Sequence, residues 1–134
     1  MNGRFHKNCF ACGQHSGSGL KLEFMLHADN TLSGEFTISE EYQGYDGILH
    51  GGIIAAILDS SMIHLFHMKE GMELRTAKLN IRFIKPIPVE ETITVKATAD
   101  ADMRHLYKAR SQILICDTVF VEAEGYFRNT GETS

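Results

Sequence analysis

The chain has no tryptophan, two prolines and three cysteines in 134 residues. So few cysteines, behind a short polar stretch (Met1 to Lys7) with no apolar signal core, argue against a disulfide framework. Reduced thiols in a cytoplasm are the expectation. Basic residues are also in deficit: 13 Lys and Arg against 17 Asp and Glu leave a net charge of -4. That balance argues against a nucleic-acid surface and leaves room only for a local basic patch. No run reaches the roughly 20 apolar residues that span a bilayer. Internal repeats, low-complexity tracts and linkers are missing too. What remains, 43% hydrophobic and 22% charged, is the composition of one soluble globular domain over residues 1–134.

The rest of the chain is organised around Gly47 to His67, GILHGGIIAAILDSSMIHLFH. A glycine-rich turn feeds a proline-free segment whose apolar spacing predicts a helix from about Gly51 to Met68. Ile54, Ile57, Leu58, Ser61, Met62 and Leu65 share one face, and Ala55, Ala56, Ile63 and Phe66 occupy the other side. A helix apolar nearly all round is buried on every side. Within it Asp59 is the one residue with an ordinarily charged side chain. A carboxylate there is costly to desolvate unless it is bonded or does chemistry, and the helix alone leaves both readings open. At the other end, Gly51 and Gly52 carry no β-carbon, so a ligand can approach their N–H groups. Those groups lie in the first turn, lack intrahelical acceptors and feel the positive end of the helix dipole. Such donors suit a carbonyl oxygen becoming negative, although a plain glycine-rich helix start explains a lone pair equally well.

Strands flank this helix. Leu20 to Leu26 alternates with period two, Asp29-Asn30 is a turn, and Thr31 to Ser39 reads as the hairpin partner with Leu32, Phe36 and Ile38 inward. Glu40 to Gly47 is a polar loop over the site, with Tyr45 and Asp46 as turn residues. After a stop at Glu70-Gly71, strands are predicted over Leu74 to Ile84, Glu91 to Ala99, His105 to Cys116 and Thr118 to Arg128. Pro86 and Pro88 separate the first two of these, and Asp117 turns the last two. An antiparallel sheet of about six strands wrapped around one long helix is an α+β arrangement. Near the start, His6-x2-Cys9-x2-Cys12-x2-His15 offers four ligands to zinc. Closed zinc sites draw ligands from two places, so a structural turn without metal is the expectation. His64 and His67 read as partly exposed residues near the helix end, and Cys116 as a packing residue.

The His-Gly-Gly at residues 50–52, Asp59 nine residues after the His, and the strand Thr76 to Pro86 together resemble the hotdog-fold acyl-CoA thioesterases, most of all the phenylacetate-degradation-type branch. The likeness runs from Cys9 to about Phe127. It implies a hotdog fold, hydrolysis of an acyl-CoA thioester and no cofactor. It also implies that Gly51 supplies an oxyanion N–H, that Asp59 is nucleophile or general base, and that Thr76 helps position the attacking water. His50 either contacts the thioester or holds its loop. Several relatives carry Asn six residues before the His. Here that position is Gly44, with Gln43 beside it as the candidate substitute.

Helix geometry adds a constraint. Gly51 and Asp59 stand about 12 Å apart along the axis at ~1.5 Å per residue. A reacting carbonyl must lie about 3 Å from its oxyanion donor and near the base. Two antiparallel helices related by a two-fold axis meet that condition where one helix does not. A homodimer with shared active sites is therefore expected, with a tetramer left open. Met62, Ile63, Phe66 and Ile54 are the expected acyl-pocket liners. Arg82, Arg104, Lys85, Lys108 and Arg128 are candidates for the coenzyme A phosphates, each balanced by an ordinary solvated role. Two rivals share the fold: a non-catalytic acyl-CoA binding module, and a hydratase or dehydratase that pairs His with an acid.

Overall fold

Helix α1 runs over Gly51–Glu70 and stops where Gly71 adopts a left-handed φ of 70°, its N–H bonded to His67 O at 2.8 Å. A β-carbon is unfavourable in that conformation, which is why glycine so often closes helices. The computed structural model describes residues 20, 22–100 and 105–130. His6, Cys9, Cys12, His15 and Arg104 lie outside the described residues, so the zinc question falls there too.

Among the described residues six strands pack with the helix: β1 (Met25–Leu26), β2 (Leu32–Thr37), β3 (Leu74–Phe83), β4 (Thr92–Ala99), β5 (Tyr107–Ile115) and β6 (Thr118–Asn129). They form one sheet in the order β1-β2-β4-β5-β6-β3, antiparallel at every pairing. This is the α+β arrangement that the sequence pattern predicts and the hotdog fold that the family resemblance implies. Strand alternation divides the sheet into two faces. Ile93, Val95 and Ala97, then Ala109 and Ile113, then Val121, Ala123 and Phe127 are buried with the helix residues Ile54, Ile57, Leu58 and Leu65. Lys96, Arg110, Gln112, Glu122 and Glu124 alternate with them and occupy the far face.

One polar contact fixes the rotation of the helix on the sheet. Buried Ser61 Oγ donates to Leu58 O at 2.7 Å and meets buried Ser111 Oγ of β5 at 2.6 Å. With its proton committed to the carbonyl, Ser61 accepts from Ser111, and both hydroxyls are satisfied as burial requires. Gly125 gives the sheet its close fit. A β-carbon there would stand 2.6 Å from the Phe127 ring and 3.0 Å from Met62 Cε.

Three expectations change. The first strand shrinks from Leu20–Leu26 to Met25–Leu26, because Leu22 is buried in the core without ladder pairing and alternation reports burial alone. His64 is fully buried, its ring 5.3 Å from that of Phe24, since its helix face is covered and not free at an end. Cys116 is exposed: with Asp117 it forms the two-residue β5–β6 turn, both residues left-handed (φ 48° and 64°) as a primed hairpin turn needs.

Strand β3 ends the sheet. Only Leu74 in it is buried, and its pairing with β6 is irregular between Thr76 and Lys78, where Ala77 is the extra residue of a bulge.

Candidate active site

The site begins at the loop before the helix. Glu40–Tyr42 forms a short 3-10 turn, and Gly44 N–H to Ile48 O (2.9 Å) and His50 N–H to Tyr42 O (3.0 Å) fold the loop on itself. The segment 87–90 clamps it from the side through Leu49 N–H to Ile87 O (2.8 Å) and Val89 N–H to Gly47 O (3.0 Å). Glu90, at a left-handed φ of 67°, accepts the Glu40 N–H on its carboxylate at 2.8 Å. The pattern of the sequence gives no signal for this clamp, because a left-handed glutamate is an outcome of tertiary packing.

His50 is the helix N-cap. Its Nδ1 accepts from Gly52 N–H at 2.8 Å, and its carbonyl accepts from Ile53 and Ile54 N–H, both at 3.0 Å. Since Nδ1 is an acceptor, the ring proton lies on Nε2. No Ser, Thr, Asp or Asn precedes the glycines, so the imidazole is the polar side chain in reach for the cap. Gly52 N–H is therefore engaged, and among the described residues Gly51 N–H is the first-turn donor left without an acceptor. The Phe83 ring lies beside it, 3.9 Å from where a Gly51 β-carbon would stand.

Asp59 stands two turns further along, half-buried. Thr76 Oγ1 donates to its Oδ1 at 2.5 Å. The hydroxyl holds the carboxylate toward β3, on the side of the helix where Ala55 and Ala56 are also only half-buried. The structure thus brings together two pairs, Thr76 with Asp59 and His50 with the Gly51-Gly52 turn, at separate places along the same open edge.

The other candidates are placed elsewhere. Gln43 Oε1 accepts from Gly47 N–H at 2.9 Å and so braces the loop. A β-carbon on Gly44 would stand 3.4 Å from His50 Cα, so this position abuts the cap but offers no polar side chain. Met62, Ile63, Phe66 and Ile54 are core residues: Phe66 packs on Phe127 and Tyr107 with ring centroids 5.9 Å away in each case. In the first half of the helix Ile53, Ala55, Ala56 and Asp59 are half-buried and border the open edge. Arg82 does not reach the site either. Alternation points it to the far face, where it meets Glu122 at 3.3 Å. A shallow cavity of about 610 Å³ lies there, lined by Arg82, Lys96, Arg110 and Glu122 among others, but not by Gly51 or Asp59. Lys85 lies over the Phe120 ring. The Lys108 ammonium is raised above its ordinary range, chiefly by its hydrogen bond to Glu124, and also meets Asp100 at 3.8 Å. No cluster of three or more metal-binding side chains occurs among the described residues.

The thioesterase superfamily model matches residues 46–106, the loop, helix and β3–β4 portion that carries both pairs. The acyl-coenzyme A thioesterase THEM4 of Bos taurus is 29% identical over 119 aligned residues, covering 81% of this chain and 46% of that protein. The chain thus spans less than half the length of that relative. Among solved structures, the thioesterase superfamily protein RHA08564 has a TM-score of 0.83 at 24% identity, covering 92% of this chain and 61% of that one. The PaaI protein of the E. coli phenylacetic acid degradation operon has a TM-score of 0.75 at 15% identity, covering 85% and 83%. These two likenesses are of fold.

Proposed function

We propose that this chain, a hotdog-fold member of the thioesterase superfamily, hydrolyses an acyl-CoA thioester at sites shared by two copies. The observation that carries the reading is the division of the edge into two half-sites. One holds an unengaged N–H at a helix N-terminus, and the other a carboxylate held by a threonine. At about 12 Å along one axis these halves are too far apart to act on one carbonyl. A partner helix running the other way across a two-fold axis brings Gly51 of one copy to Asp59 of the next.

In that shared site the thioester oxygen accepts from Gly51 N–H, where the helix dipole favours the developing charge. Asp59 of the other copy takes a proton from water as the water oxygen bonds to the carbonyl carbon. Collapse breaks the C–S bond, and the proton passes to the departing thiolate. Alternatively the carboxylate oxygen attacks first and water opens the resulting anhydride. Label in the Asp59 carboxylate after single-turnover hydrolysis in ¹⁸O-water would establish direct attack, because only opening of an anhydride at the Asp59 carbonyl puts it there. Thr76 orients the carboxylate in either case.

Complementation tests the shared site. Gly51→Pro removes the N–H at the helix position that tolerates proline, and His50 already has the extended backbone (φ -60°, ψ 134°) that proline requires before it. Thiol release from a panel of acyl-CoAs should fall about 100- to 1,000-fold on loss of that donor. Mixing and reassembling Gly51→Pro with Asp59→Asn copies should restore about a quarter of parental activity, because each mixed dimer regains one intact site. No recovery on mixing would place both halves within one copy. Saturable acyl-CoA binding by the parent without thiol release would support a binding module, the reading that Gly44 favours.

A further inference from the structure

The far face of the sheet carries positive charge that its own carboxylates leave unused. Strand register sets two rows of side chains there. Lys96, Gln112, Glu122 and Arg82 lie in line across β4, β5, β6 and β3, and Thr98, Arg110 and Glu124 run beside them. These residues line the cavity of about 610 Å³ on that face. Small-molecule sites span roughly 300–1,000 Å³, so the space suits an organic ligand. Both glutamates are engaged within the chain: Glu122 accepts from Arg82 at 3.3 Å, and Glu124 meets Lys108 at 3.2 Å. Arg110 donates from Nε to Asp100 at 2.9 Å, which leaves its Nη groups to spare. Lys96 is exposed and makes no ion pair among the described residues. Its cross-strand neighbours, Ser33 of β2 and Gln112 of β5, carry no charge.

Lys96 pairs across the ladder with Gln112, and Arg110 stands two residues before Gln112 on the same face of β5. The two cations are therefore diagonal neighbours, with stems about 7–8 Å apart. Like charges at that spacing favour an anion between them. Such an anion meets donors from several directions: the ammonium, the free side of the guanidinium, the Gln112 amide and the Thr98 hydroxyl. A carboxylate has two oxygens to offer them, whereas a phosphate monoester has three and carries up to two charges. We propose that this cavity binds the phosphate group of a small phosphorylated molecule, with Lys96 and Arg110 as its chief ligands. A free phosphorylated metabolite and the phosphates of coenzyme A present the same chemistry. The assignment stands apart from the hydrolysis proposed above, since neither Gly51 nor Asp59 lines the cavity.

Inorganic phosphate is the first probe, titrated into the full chain at constant ionic strength with chloride as the control anion. Amide chemical shifts of Lys96, Thr98, Arg110 and Gln112 should move saturably with phosphate and not with chloride. Lys96→Gln breaks no ion pair among the described residues and should weaken phosphate binding about 10- to 100-fold. Glu122→Gln removes a carboxylate from the cavity and releases Arg82, so it should tighten binding. A merely solvated face would not respond with opposite signs to these two changes. Coenzyme A and glucose 6-phosphate then distinguish the sources. Displacement of phosphate by coenzyme A, with KM for acyl-CoA raised in Lys96→Gln, assigns the site to the coenzyme. Displacement by the sugar phosphate with KM unchanged assigns it to a free metabolite, and either result upholds the site. Shifts that spread over the surface without saturating, or equal phosphate affinity in the parent and Lys96→Gln, overturn it. Saturable binding in a chain that releases no thiol would leave the site standing and sink the hydrolysis reading alone.

Discussion

The Thr76 hydroxyl and the Asp59 carboxylate, 2.5 Å apart, tie the edge strand to the middle of the central helix. The bond supplies a neutral hydroxyl donor to a half-buried carboxylate. Asp59→Asn keeps the shape and the hydrogen bond but removes the carboxylate that the proposed hydrolysis uses as base or nucleophile, so thiol release should fall about 100- to 10,000-fold. Thr76→Ala removes one hydrogen bond to a charged group, about 1.5–3 kcal/mol, or about 10- to 100-fold. The ordering is the test. If steady-state assays find Thr76→Ala more damaging than Asp59→Asn, Asp59 is not the reacting group.

Much of this was legible from residue types alone. The helix, its isolated acid and the glycine pair stand out because burial makes a lone Asp conspicuous, and five strands follow from alternation and turn residues. Other features were not legible, each for a physical reason. Alternation states that Leu22 is inward without stating whether it pairs. Met62 and Phe66 read as pocket liners because helix spacing cannot say which apolar face meets the sheet. Arg82 reads equally as a phosphate ligand or as a solvated strand residue, and the side of the sheet it takes depends on the Ala77 bulge, which only the pairing with β6 reveals. The cap by His50 and the clamp by Glu90 depend on backbone conformations that no local spacing encodes.

His50 offers a way to separate stability from chemistry. If its role is the cap, His50→Ala should cost about 1 kcal/mol, roughly 3–5 °C in Tm, while His50→Asn should keep most of it. Gly52→Ala should mimic the loss, because its β-carbon would stand 3.0 Å from the imidazole. The two substitutions act on one hydrogen bond, so their costs should fail to add in the double variant. His50→Asp should cap the helix well yet depress turnover, since it places an anion beside the Gly51 N–H. Calorimetry and kcat/KM together decide it: full additivity of His50→Ala and Gly52→Ala would separate the ring from the Gly52 N–H.

Packing beneath the site reaches it through one pairing, Phe127 with Thr76. Phe127 is fully buried and its ring folds over Gly125, where a β-carbon would stand 2.6 Å from it. Gly125→Ala forces the ring toward Phe66, whose centroid is already 5.9 Å away, or toward the ladder partner Thr76. Overpacking of this kind costs about 1–3 kcal/mol. Thermal unfolding should show a loss of several degrees, with reduced turnover at temperatures where the variant is fully folded. Gly51→Ala is the matched control for fit, because its β-carbon would meet Phe83 at an ordinary 3.9 Å and should leave Tm nearly unchanged. Should Gly125→Ala prove as stable and active as the parent, the ring does not lie over Gly125 and Phe127 does not support Thr76.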